Sequence, residues 1–64
     1  MNIKPGDLVW YKKSLMSDRM IGLVIDLTKY DLEFEGVTKF QILSAEGNLQ
    51  FILDDLGLKV KVLL

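Results

Sequence analysis

Few residues in this chain are equipped for covalent or acid–base chemistry. It has no histidine and no cysteine. Zinc sites built on those ligands are excluded, and no disulfide can staple the fold. Ser14, Ser17 and Ser44 have no imidazole to activate them as nucleophiles. Asp54-Asp55 is the one adjacent carboxylate pair. Neighbours in a turn rarely converge on one point, and metal binding or general acid–base work needs further ligands and a pocket. Neither a phosphate-cradling P-loop nor a dinucleotide-binding glycine pattern occurs. The expectation is a protein that is not an enzyme and has no cofactor and no metal site.

Residues suited to binding are easier to find. Trp10 and Tyr11 point to opposite faces of a regular strand, so one belongs to the core and the other reaches the surface. The exposed ring, near Tyr30, Phe34 or Phe51, could form a groove for an extended peptide or a cation. The competing reading is ordinary aromatic packing. Leu15, Met16 and Met20 lie in or beside a polar stretch, and methionine adapts readily to a partner surface. The apolar pair Leu63-Leu64 extends the same patch. The expected protein-binding set is therefore Trp10, Leu15, Met16, Met20 and Phe51. The rival is a nucleic-acid patch of Lys12, Lys13, Arg19, Lys59 and Lys61, which requires those five cations to converge on one face. Asp26, Asp31, Glu33 and Glu35 oppose nucleic acid on their own side and could meet a basic partner.

The punctuation that must position these residues is that of short strands. Pro5-Gly6-Asp7 is a turn leading into Leu8-Val9-Trp10-Tyr11, rich in β formers. Lys12 to Arg19 reads as a long polar loop. Met20 to Leu27 is the next strand, in which Ile21, Leu23, Ile25 and Leu27 make one uniformly apolar set and the other positions are mixed. Gly22 within it marks a close backbone approach or a bulge. Tyr30 to Glu35 alternates apolar with acidic, as a half-buried strand or an extended loop does. Thr38 to Leu43 is a third core strand. Ala45-Glu46-Gly47-Asn48 is a hairpin turn and Leu49 to Leu53 its return strand. After the tight turn Asp54 to Gly57, Leu58, Val60 and Val62 alternate with Lys59 and Lys61 in a closing strand.

Sixty-four residues make a single domain spanning 1–64, with little stability to spare. Half the residues are apolar, which is generous for a chain with so much surface per unit volume. Some of that area should stay exposed in a monomer, as a binding face or the contact of a homo-oligomer. A net charge of −1 gives no basic excess for phosphate neutralisation. No apolar run approaches the roughly 18–20 residues needed to span a bilayer. The opening Met1 to Gly6 does not read as a signal peptide, and the start at Met1 is expected to be that of a complete small gene product.

The opening Pro5-Gly6-Asp7-Leu8-Val9-Trp10 resembles the first strand of many SH3-like barrels. The order that follows fits as well: a long loop, Gly22-Leu23-Val24-Ile25, a hairpin at Glu46-Gly47-Asn48, a short turn at Asp55-Leu56 and a closing strand. Nearly the whole chain looks like the small SH3-like barrel proteins encoded by tailed bacteriophages. The start alone also resembles PWWP and Tudor domains, but no second motif of theirs follows. The resemblance implies an all-β, five- to six-stranded SH3-like barrel, closed or nearly closed. The resemblance specifies fold and not activity; the apolar loop and aromatic residues are what point to a protein-interaction or assembly module, whose partner is itself, a virion component or a host protein. The expected setting is the cytoplasm of an infected bacterium or the virion, with no membrane contact.

Overall fold

The computed structural model describes residues 3–31 and 36–63. It is all β: β1 (Leu8–Tyr11), β2 (Met20–Asp31), β3 (Gly36–Ser44), β4 (Leu49–Asp54) and β5 (Val60–Val62). They form one antiparallel sheet in the order β4-β3-β2-β1-β5. The first four strands are a meander, and β5 returns to pair with β1. Tyr30 and Asp31 continue β2, whereas 32–35, with Phe34, Glu33 and Glu35, lie outside the described residues.

The turns follow from their residues. Asp7 N–H donates to the Lys4 carbonyl at 3.1 Å, closing Lys4-Pro5-Gly6-Asp7. Proline presets the second position and glycine takes the third. Between β3 and β4, Gly47 N–H donates to the Ser44 carbonyl at 2.9 Å and Ser44 N–H to the Asn48 carbonyl at 2.8 Å. Gly47 has φ +88°, the left-handed value this hairpin requires.

One face of the sheet makes the core. Val9, Tyr11, Val24, Phe40, Ile42, Ile52 and Val60 form a single buried cluster, with Ile3, Met20 and Leu27 packed against it. All five strands contribute to it. Flat, the sheet would hold β4 and β5 about 19 Å apart across four strand spacings. Instead the buried Asp54 at the end of β4 accepts from Val60 N–H of β5 at 3.2 Å. It also accepts from Leu58 N–H at 3.2 Å and Lys59 N–H at 3.3 Å. The sheet therefore curls, and one carboxylate ties its two edge strands. It does not close, because β4 pairs only with β3 and β5 only with β1. The seam is bridged by the Asp54 side chain rather than by a ladder.

β2 explains how one sheet pairs on both sides and still bends. Its first residues, Met20 to Leu23, pair with β1, and Gly22 to Asp31 pair with β3. The β3 register slips between Val24 and Asp26, so Ile25 is the extra residue of a β-bulge. The bulge switches the inward phase. Gly22 and Val24 face the core before it, and Leu27, opposite Phe40, after it. The apolar set Ile21, Leu23, Ile25, Leu27 is thus divided, and only Leu27 turns inward. At Gly22 the backbone approaches β3 too closely for a side chain. A Cβ there would lie 2.5 Å from Ile42 Cγ2 and 2.8 Å from the Leu43 carbonyl oxygen.

Candidate functional site

The outer face of the sheet carries more apolar side chains than a solvated surface needs. Leu8 of β1 is level with Leu23 of β2, Leu23 with Leu43 of β3, and Leu43 with Leu49 of β4. Four leucines therefore stand in one cross-strand row. Leu8, Leu43 and Leu49 are exposed and Leu23 is half-buried. Such a row results when every strand has apolar residues at both phases of its alternation, so the curl can bury only one set. On one side of the row lie Trp10 and Ile21, paired across β1 and β2. On the other lie Phe51 and, beyond it, Leu53 of β4. Ile21, Phe51 and Leu53 are each slightly more than half exposed.

Cations fringe this face. The Arg19 guanidinium sits 5.2 Å from the centre of the Trp10 ring, and Lys61 of β5 is the cross-strand partner of Trp10. Lys39 of β3 places its ammonium 5.0 Å from the centre of the Phe51 ring. Contacts of this kind contribute about 0.5–1 kcal/mol each at exposed sites. Asp26, level with Gln41, puts an acidic residue on this face. Its carboxylate accepts from the neighbouring Leu27 N–H at 2.8 Å. The face is thus an apolar band with a mainly basic border.

The expected protein-binding set is divided by the sheet. Trp10 and Phe51 share the outer face, on opposite sides of the leucine row. Leu15 and Met16 project from the β1–β2 loop, at the Trp10 end, and Met16 is 95% exposed. The loop tip is held by a Ser14–Ser17 turn, in which Ser14 N–H donates to Ser17 Oγ at 2.8 Å. Met20 lies elsewhere. It is level with the buried Tyr11 and packs on the core from the inner side. Leu63 is partly exposed beyond β5 and its N–H reaches the Leu8 carbonyl at 3.0 Å, whereas Leu64 lies outside the described residues. Ile21, Leu23, Leu43, Leu49 and Leu53 join the site although no motif marks them. Their signal is the register between strands, which alternation within one strand does not contain.

The five cations of the rival patch gather only in part. Arg19 lies against the Trp10 ring and Lys61 is the cross-strand partner of Trp10. Lys59 instead donates through Nζ to the Leu53 carbonyl at 3.2 Å, on the β4 side of the seam. Lys12 lies beside it through the backbone, its N–H donating to the Lys59 carbonyl at 2.8 Å, and Lys13 is in the exposed loop.

The inner side opens at the seam into a recess of about 470 Å³, bordered by Leu27, Lys29, Phe40, Asp54 and Asp55. Asp54 is committed there to the three backbone donors. Among the described residues no group of three acidic or other metal-ligating side chains is gathered. Of the ionisable groups, the Tyr11 phenol is pushed up from its ordinary value, chiefly by burial and then by the Glu46 carboxylate. Its hydroxyl is buried without a hydrogen-bond partner among the described residues.

These features define a small all-β domain with one buried and one exposed apolar sheet face. Comparison with protein-family models, with curated proteins and with solved structures found no match.

Proposed function

We propose that the chain is a non-catalytic protein-interaction or assembly module, an SH3-like barrel left open at one seam, that docks a protein partner on its outer sheet face. The strand order and the Asp54 tie across the seam support the finer fold reading. The observation that carries the function is the in-register row Leu8–Leu23–Leu43–Leu49, flanked by Trp10 and Phe51. Monomeric domains rarely leave so continuous an apolar band in water unless a partner covers it. The border of Arg19, Lys39 and Lys61 favours a partner that carries acidic residues around an apolar centre, and steers its approach. Leu15 and Met16 extend the contact at the Trp10 end. The likeness to phage-encoded barrels makes a virion component or a host protein the natural partner.

The test is capture from lysate of phage-infected bacteria on the immobilised chain, beside Leu8→Asp, Leu23→Asp and Met20→Ala. A specific partner should be retained by Met20→Ala and lost with both outer-face variants. A partner that still binds both Asp variants overturns the assignment of this face.

A second reading rests on Arg19 against the Trp10 ring and Lys61 as its cross-strand partner. A base stacked on that ring between two cations is a single-strand binding arrangement. Titrating Trp10 fluorescence with an oligonucleotide at low and high salt tests it. Quenching that weakens steeply with salt supports nucleic-acid binding, and no change removes it.

A further inference from the structure

The two edges of the sheet are not equally protected. In an antiparallel ladder, residues alternate between bonding to the neighbouring strand and presenting both backbone groups to the other side. The Ser44–Asn48 bond at the hairpin sets the phase. Gln50, Ile52 and Asp54 bond inward to β3, and Leu49, Phe51 and Leu53 present N–H and C=O outward. The Lys59 ammonium on the Leu53 carbonyl agrees with that phase. β5 is only three residues long, and its outward Val60 N–H is taken by Asp54. β4 offers three consecutive outward residues, of which only the Leu53 carbonyl has a partner among the described residues. Long apolar edges of this kind are the usual templates for pairing with another strand.

We infer that β4 pairs antiparallel with β4 of a second copy, about a two-fold axis at Phe51, joining two five-stranded sheets into one of ten strands. The occupant follows from the symmetry of the edge itself. Leu49, Phe51 and Leu53 read alike in both directions, so Phe51 meets Phe51 and Leu49 meets Leu53 of the second copy. Each outward N–H then faces an outward C=O; of the six backbone hydrogen bonds, the two to the Leu53 carbonyls are made beside or in place of the Lys59 ammonium. On the other face Gln50 meets Ile52 of the second copy, and Asp54 meets Asn48. No like charges are opposed within β4 itself, and each Phe51 ring carries the Lys39 ammonium of its own copy beside it. A C2 interface needs this kind of self-complementary surface. An extended strand of another protein would need to match the same Leu-x-Phe-x-Leu pattern, whereas a second copy supplies it at equal concentration. The inference concerns the edge and does not require the outer face to bind a different protein. One six-residue strand covers less than the roughly 800 Å² per partner of a standard interface. The dimer is accordingly weak and concentration-dependent.

Light scattering on the full chain, from about 10 µM to about 1 mM, should show a mass rising from one chain towards two. Amide exchange at Leu49, Phe51 and Leu53 should slow over the same range, while exchange in β1 and β2 stays constant. Phe51→Pro removes the ring and an outward N–H but no bond to β3, which an edge strand tolerates. It should abolish the dimer and keep the β-sheet circular dichroism of the monomer. Phe51→Lys leaves the backbone intact, places two like charges on the axis and should also abolish it. Leu8→Asp, far from the edge, should leave the dimer in place even though it is the variant that tests the outer face. A chain that stays monomeric at about 1 mM overturns the inference and leaves the edge to a strand from another protein. A dimer that survives Phe51→Lys overturns it by placing the contact elsewhere.

Discussion

Tyr11 and Asp54 both carry polar groups into the interior, and their surroundings treat them in opposite ways. Asp54 receives three backbone N–H donors, two from the turn before β5 and one from Val60 at its start, so its burial is offset and it serves as the tie across the seam. The Tyr11 ring fills the core, fully buried, while its hydroxyl has no partner among the described residues. A buried hydroxyl without a partner loses its hydration and gains nothing for it. Tyr11→Phe should therefore leave stability unchanged or raise it by up to about 1 kcal/mol at pH 7. Burial and Glu46 both raise the phenol pKa in the folded state. A raised pKa means that the stability is complete below the unfolded value of about 10 and is lost as pH climbs towards the folded value. The advantage of Tyr11→Phe should thus grow between pH 7 and about pH 11 in urea-unfolding midpoints. A loss of more than about 1 kcal/mol at pH 7 would show that the hydroxyl has a partner, a buried water being the natural one.

At the scale of elements, alternation located the strands and failed on their faces. Leu8 to Tyr11 forms β1 with the expected bounds, β3 adds Gly36, Val37 and Ser44 to the expected segment and β4 adds Asp54, because short strands flanked by glycine and turn residues announce themselves. β2 runs on to Asp31, and β5 starts at Val60 rather than Leu58 because the turn before it is occupied by Asp54. The division of labour between Trp10 and Tyr11 was legible only as a split, with the ring left open. The faces of β2 were not legible. Ile21, Leu23, Ile25 and Leu27 satisfy a simple alternation, and nothing in that pattern reveals that Ile25 is a bulge that turns Leu27 inward and leaves the other three facing out. The leucine row was hidden for the same reason, since it exists only once four strands are set in register. Gly22 was the one residue of β2 whose type disclosed its role. Gly22→Ala should cost about 1–3 kcal/mol, because the new methyl meets Ile42 Cγ2 and the Leu43 carbonyl, and the carbonyl belongs to the sheet itself. Gly36→Ala is the control. The nearest atom to its Cβ would be the Tyr30 carbonyl oxygen at 3.9 Å, and its effect should stay within about 0.5 kcal/mol. Equal losses at the two positions would show that helix- or strand-wide propensity, rather than close approach, sets the cost at Gly22.

For the whole molecule the decisive asymmetry is between two apolar faces of one sheet, of which the curl can bury only the inner. A 64-residue chain has on the order of 3–10 kcal/mol of stability in total, so the inner cluster must supply nearly all of it. Ile42 is fully buried in that cluster, and Ile42→Ala should cost about 2–5 kcal/mol, enough to populate the unfolded state. Leu8 is 55% exposed on the outer face, and Leu8→Ser should cost less than about 1 kcal/mol. Both belong in urea unfolding at low micromolar concentration, where association is minimal, with binding of an apolar dye to the folded chain as the companion reading. Leu8→Ser should lower dye binding without moving the midpoint much, because it removes exposed apolar area and little packing. Should Leu8→Ser prove as costly as Ile42→Ala, the outer face would be acting as core within the isolated chain, and its assignment as a free docking surface would fail. If the two separate as expected, the outer leucines are held in water at no benefit to the monomer, and a covering partner is what gives that arrangement its physical sense.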